Sequence, residues 1–182
     1  MEENNQLDST PWYAIRLFSL KLKAASGYFE EKKVEYFVPM HYVDVLDKEN
    51  HIRHVLKPVV SNLIFVKRTM SDAELVELIK DSNIKMAVLT RSRNDRTFSE
   101  IPAKQMREFQ IMCNPEIELR KYLSEEEARL KVGAPVLVKF GPLKGLTGKL
   151  VRSSKKYYLL KEVPGMAVML KVSRWCCVSA ES

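Results

Sequence analysis

The residues that could do covalent or metal chemistry are scattered along this chain rather than grouped. His51 and His54 form an HxxH pair where a predicted turn runs into a strand. Alternation along a strand would send the two imidazoles to opposite faces, and no third ligand lies near in sequence, so exposed histidines are expected and no metal site. Cys113, Cys176 and Cys177 contain no CxxC, and the adjacent pair is badly placed to bridge. Reduced thiols, at least one of them buried, are the expectation. GxGxxG, GxSxG, HExxH and GxxxxGK followed by Ser or Thr are all missing, and the Ser, His and Asp residues show no catalytic spacing. These residues predict no enzyme and no cofactor.

Binding chemistry is better represented. The formal charge of +7 is unevenly spread: ten of the 30 basic and two of the 23 acidic residues fall in residues 131–182, which leaves +8 there and −1 elsewhere. Such a balance suits either a solvated face or contact with nucleic acid or another anionic surface. Arg91, Arg93 and Arg96 in "RSRNDRT" could touch phosphate, or form a solvated loop with Asp95 as local partner. Lys21 and Lys23 sit near the start of a predicted helix, where they could face a nucleic-acid strand or simply water. In "VLVKFGPLKGLTGKLV" three of the chain's six glycines fall within eight positions, among Phe140, Leu143, Lys144 and Lys149.

The elements that must position these residues form two patterns. "WYAIRLF" reads as a buried strand, followed by a helix through "SLKLKAASGYFEEKK" with Leu22, Ala25 and Phe29 on one face and Ser19 as candidate N-cap. "VEYFVPMHYVDVL" is a second strand kinked at Pro39, and "VLKPVVSNLIFVKR" a third. "SDAELVELIKDS" is a helix with a Ser71–Glu74 capping box, with Leu75, Leu78 and Ile79 on one face. "IKMAVLT" is a fourth strand, and a further helix starts just after Pro102. The order β-α-β-β-α-β predicts an α+β, ferredoxin-like sandwich, one antiparallel sheet with helices on one face. Residues 115–130 are polar, with Glu125, Glu126 and Glu127 in a row, and read as a linker that is helical after a Ser124 cap.

The remainder is all strand: "APVLVKF", "GKLVRSS", "YYLLKEV", "AVMLKVS" and "WCCV", separated by short turns. Five strands in so short a stretch predict a small β-barrel. In such a barrel Gly141 and Pro142 would make a turn, Gly145 would close the loop, and Gly148 would relieve crowding at a bend. The same loop would then carry an apolar tip ringed by positive charge. No run is long enough to span a bilayer, and "MEENNQLDST" is not a signal peptide, so a cytoplasmic protein with no membrane partner is expected.

These stretches carry a resemblance. "VGAPVLVKFGPLKGLTGKLV" looks like a KOW motif, a short apolar strand followed by Gly-Pro-apolar, Gly, and a further Gly before the next strand. "PWYAIRLFSLKLKAASGYFEEK" is similar to the opening of the NusG N-terminal (NGN) domain, and "KPVVSNLIFVK" to that domain's third strand. NGN, linker and KOW in that order characterise NusG-type transcription elongation factors, and the resemblance spans roughly residues 11–179. It implies an NGN domain over 11–114, a linker over 115–130 and a KOW barrel over 131–182.

It further implies a monomer that binds elongating RNA polymerase, bridges its main cleft and holds the clamp closed, without covalent chemistry. Arg16, Val60, Leu63 and Phe65 match the polymerase-binding positions of the family, with Leu63 and Phe65 on an exposed apolar depression. Lys21 and Lys23 would face the non-template DNA strand, and Arg91 and Arg93 nucleic acid. The barrel would recruit a ribosomal protein or RNA, with Phe140, Leu143, Lys144 and Lys149 as candidate contacts. Ser61 replaces the family's usual proline, Leu63 its tyrosine, and Asn62 resembles operon-specific paralogues of the RfaH type. "SRWCCVSA" lacks the usual acidic closing strand. The departures point to an antiterminator of surface-polysaccharide operons, not to a general factor or a Rho partner. The alternative is an RNA-binding KOW protein of ribosome assembly or translation with no polymerase contact.

Overall fold

The computed structural model describes residues 7–180. The chain runs β1 (Trp12–Leu17), α1 (Leu22–Glu31), β2 (Tyr36–Phe37), β3 (Met40–Leu46), β4 (Ile52–Pro58), β5 (Leu63–Lys67), α2 (Asp72–Asp81), β6 (Met86–Val88), β7 (Glu100–Ile101) and α3 (Ala103–Met112). It continues through β8 (Arg120–Ser124), α4 (Glu125–Arg129), β9 (Gly133–Val138), β10 (Thr147–Ser153), β11 (Lys156–Val163), β12 (Met166–Lys171), a 3-10 turn (Arg174–Cys176) and β13 (Cys177–Ser179). Helices combine with antiparallel sheets, so the fold is α+β. Two compact units result: the described residues through Phe37 with Ser61–Arg107, and Val38–Val60 with Glu108 onward.

The first unit holds a sheet of order β2-β5-β1-β6, with β7 also paired to β1. This is the strand order a split βαβ pattern produces, each crossover helix spanning one intervening strand. Helix α1 buries Leu22, Ala25 and Phe29, as its periodicity predicts. Its N-cap is Lys21, not Ser19, and no side chain caps it. Ser19 Oγ is instead buried without a hydrogen-bond partner among the described residues. Helix α2 opens on the predicted capping box, Ser71 accepting from the Glu74 amide at 3.2 Å and the Ser71 amide donating to the Glu74 carboxylate at 3.0 Å. Such a box satisfies two of the four orphan amides of a helix start.

Two predicted strands are each cut in half. The second breaks at Val38–Pro39 into β2 and β3, and the third breaks at Val59–Asn62 into β4 and β5. At the first break Pro39 has no amide to donate to a ladder, whereas Pro58 is still paired with Met40 and the second break follows it. The inner halves β2 and β5 stay in the first sheet, while β3 and β4 pair only with each other, from Met40 opposite Pro58 to Leu46 opposite Ile52. This hairpin belongs to the second unit, where the Tyr42 hydroxyl donates to Glu116 at 2.8 Å and His41 meets the Tyr122 ring edge-on.

The second unit's main sheet has the order β13-β9-β10-β11-β12-β8. All five strands expected after residue 131 are present, and β8 adds a sixth. That strand comes from the expected linker: residues 120–124 pair antiparallel with β12, and α4 follows on a Ser124–Glu127 capping box. The segment looks polar because its long cations lie over aromatic rings, Arg120 over Tyr122 at 5.0 Å and Lys121 over Tyr158 at 5.1 Å. Three glutamates in the first turn of α4 suit the positive end of its dipole. Ala128, Val151, Tyr158, Leu160, Ala167 and Met169 form the core here.

Candidate functional site

Arg16 lies on β1, backbone-paired to Leu63 of β5 on one side and Ala87 of β6 on the other. It is half-buried, and its Nε is enclosed without a hydrogen-bond partner among the described residues. Leu63 and Phe65, expected on an exposed depression, are instead core residues at 2% and 0% exposure. Ile64 and Val66 between and beside them are buried as well, so β5 is covered on both faces. The cause is position: β5 stands between β1 and β2, and the Phe65 ring packs against Phe37 with centroids 6.5 Å apart. Val60 is half-buried and falls in the second unit.

The same end of the first sheet presents apolar surface that sequence reasoning missed. Phe18 is 66% and Leu20 88% exposed. Backbone bonds of 2.9 Å, from the Leu17 amide to the Asn62 carbonyl and from the Phe18 amide to the Lys85 carbonyl, hold this end in place. Lys21 and Lys23 are exposed beside it. The signal was available in "LFSLKLK", where two large apolar residues fall between the end of the strand and the first buried helix position.

Arg91 and Arg93 are exposed on a loop tied by the Thr90–Phe98 bridge. The Thr97 hydroxyl and amide hold the Asp95 carboxyl below its ordinary range, with a smaller contribution from Arg91. Asp95 is held chiefly by the loop's own backbone and hydroxyls, its carboxylate accepting from the Thr97 amide at 3.0 Å and its amide donating to Ser92 Oγ at 3.0 Å.

In the second unit the glycine-rich loop behaves as its composition predicts. Gly145 has φ +93°, a left-handed conformation at which a side chain would be strained. A Cβ at Gly148 would lie 2.6 Å from the Leu160 carbonyl oxygen, so the close approach of β10 and β11 requires a residue without one. Phe140 is 67% exposed at the loop and Lys144 is exposed, while Leu143 is half-buried. Lys149 faces Glu162 at 3.6 Å and so belongs less to the loop than to an ion pair across β10 and β11.

A buried polar cluster was not foreseen. Lys161 Nζ donates to Glu108 Oε2 at 2.6 Å and to Thr147 Oγ1 at 3.1 Å, and the Thr147 hydroxyl donates to Glu108 Oε2 at 2.8 Å. Both charged residues are under 10% exposed. In sequence each stands beside a residue of opposite charge, in "REFQIMC" and "YYLLKEV", where adjacent charges read as solvent-facing.

Among the described residues no group of three His, Cys, Asp or Glu could hold a metal. His54 pairs with Asp44 across the hairpin instead. Burial pushes the Cys113 thiol up to about 12, so it stays protonated at neutral pH. No described helix is long and apolar enough to cross a membrane.

The family model described as transcription termination factor NusG matches residues 10–110, more than half of the chain. That range contains the whole sheet of the first unit. Among curated proteins no sequence matches this chain.

Proposed function

The chain belongs to the NusG family of transcription factors, and on that premise we propose that it binds elongating RNA polymerase and suppresses pausing or termination at particular operons, such as surface-polysaccharide loci. The observation that carries this reading is the family match over residues 10–110, the stretch that builds the β2-β5-β1-β6 sheet. The action is mechanical, a bridge across the polymerase cleft that favours the closed clamp.

The docking surface in this reading is the accessible end of the first sheet, Phe18 and Leu20 with Arg16, backed by the buried Leu63 and Phe65. Lys21 and Lys23 then meet the displaced non-template strand, and Arg91 and Arg93 meet nucleic-acid phosphate. The NGN and KOW boundaries at 11–114 and 131–182 are part of the same proposal. The second sheet serves as the KOW module, offering Phe140, Leu143 and Lys144 to a ribosomal protein or RNA. An apolar side chain buried only in a complex contributes about 1.5–3 kcal/mol.

The test uses the full chain as bait for core polymerase, followed by transcription through a pause and a terminator. The wild type should capture polymerase and raise readthrough. Changing Phe18 and Leu20 together to serine should weaken capture about a hundredfold, a loss of ~2.8 kcal/mol, with near-normal melting. Capture unchanged in a folded double variant would exclude this surface. A wild type that ignores polymerase but sediments with ribosomes would favour the translation reading.

A further inference from the structure

The second unit also combines aromatic and cationic groups on the β10–β11 hairpin and the 3-10 turn, the turn being tied to the start of the glycine-rich loop by the Lys139 amide donating to the Cys176 carbonyl at 2.7 Å. Tyr157 on β11 stands directly opposite Arg152 on β10, so the two side chains share a face of the sheet. The Arg152 guanidinium lies 5.8 Å from the Tyr157 ring centroid and that of Arg174 5.9 Å from it, both within cation–π range. The next residue, Trp175, is 88% exposed on the 3-10 turn. An indole normally contributes its large area to a core, so one held almost wholly in water is an unused contact surface.

The hairpin tip beside this group is informative. Ser154 and Lys155 alone connect β10 to β11, with φ of +50° and +65°. Positive φ at both central residues is the type I′ requirement, which favours Asn-Gly. Elsewhere the chain meets positive φ with Gly141, Gly145 and Gly165 and with the isolated residues Lys33, Asn50, Asn83 and Leu119; only here, among the described residues, do two non-glycine residues take it in succession. Here it holds a lysine in that conformation against its backbone preference, followed by another exposed lysine, Lys156. Stored strain of this kind is a pointer to a side chain kept for a purpose. Glu162, the one acidic residue described in residues 131–180, lies towards the far end of β11 and faces Lys149.

We propose that Arg152, Lys155, Lys156, Tyr157, Arg174 and Trp175 form a binding surface for single-stranded RNA. Trp175 stacks on an unpaired base, the Tyr157 ring holds the two guanidinium groups in place, and the four cations neutralise successive phosphates. Stacking on a side chain needs a base face that a duplex hides, which is why a single strand fits. The choice of RNA over DNA rests on the function proposed above, in which the growing transcript is the single strand released beside this protein.

The experiment titrates the full chain against a short labelled RNA at two salt concentrations, with DNA of the same sequence and the RNA duplex as competitors. Tight single-strand binding that quenches Trp175 fluorescence is expected. Trp175→Ala should lose about tenfold in affinity, or ~1.4 kcal/mol. Lys155→Gly should weaken binding several-fold and flatten the log–log salt slope by about 0.7, yet melt at a higher temperature because the turn is relieved. A purely structural lysine would move only the melting point. Equal or tighter binding of duplex or DNA, an unchanged Trp175→Ala, or no RNA binding at low salt would overturn the proposal. Polymerase capture by the same preparation separates the two readings: capture without RNA binding sinks this inference alone, and RNA binding without capture sinks the polymerase reading and, with it, the choice of the transcript as ligand.

Discussion

Strand β5 and the β3–β4 hairpin both carry large apolar side chains, in a continuous run in β5 and interspersed with polar residues in the hairpin, and meet opposite fates. In β5, Leu63, Ile64, Phe65 and Val66 are all buried. In β4 only Val55 is even half-buried, while Ile52 and Leu56 stand exposed. Pattern contributes, since β5 is apolar at four successive positions while β4 mixes Ile52, Val55 and Leu56 with Arg53, His54 and Lys57, and partnership adds to it. β5 has a strand on each side, whereas β3 and β4 have only each other. A strand's stability is set mainly by what packs across and upon it, which is why the same residue types are worth so much more in one place.

The largest effect that could break this comparison is at Phe65. Phe65→Ser removes a fully buried ring and leaves a hydroxyl in its place, so a loss of about 5 kcal/mol is expected, read by thermal melting. A variant that melts within a degree or two of the wild type would return Phe65 to an exposed docking role.

Ion pairs should repeat the pattern. Lys161→Met leaves the Glu108 carboxylate buried with only Thr147 as partner, at a cost of about 3 kcal/mol. Adding Glu108→Leu should recover most of that, because well-packed apolar residues replace such pairs at little cost. A double variant no more stable than Lys161→Met in urea unfolding would show that the pair contributes through more than its charges.

On the hairpin, Val55→Ser disturbs a half-buried cross-strand pair with Val43 and should cost about 1 kcal/mol or less. A loss as large as that at Phe65 would erase the distinction between the two regions.

The smallest effect is at the hairpin tip. The His51 amide, ahead of those of Glu49 and the Arg53 side chain, holds the Asp47 carboxyl below its ordinary value. A depressed carboxylate contributes fully above its unfolded value near pH 4 and loses that contribution as pH falls through the lower folded value. The protection of the tip amides, taken relative to their intrinsic exchange rates, should therefore fall below about pH 4 and stay flat from pH 5 to 8. Asp47→Asn should abolish the pH dependence, and a tip indifferent to acid in the wild type would mean that these bonds do not hold it.

Local features were legible in the chain because their causes are local. The Ser71–Glu74 box, the Ser124 cap, the buried stripe of α1 and the need for glycine at 145 and 148 each follow from neighbours a few residues away or from the tightness of one turn. The α+β pattern and the charge imbalance were likewise written in composition and period. Strand partnership was not. Nothing within "KPVVSNLIFVK" says that the chain breaks after Pro58 and that its second half enters the first sheet between β1 and β2, because pairing joins residues far apart in sequence. The burial of Leu63 and Phe65, the enclosure of Glu108 with Lys161, and the meeting of Arg152 and Arg174 at one tyrosine are decided there. Alternation along a strand tells which side chains share a face, and only the packed sheet determines whether that face meets water.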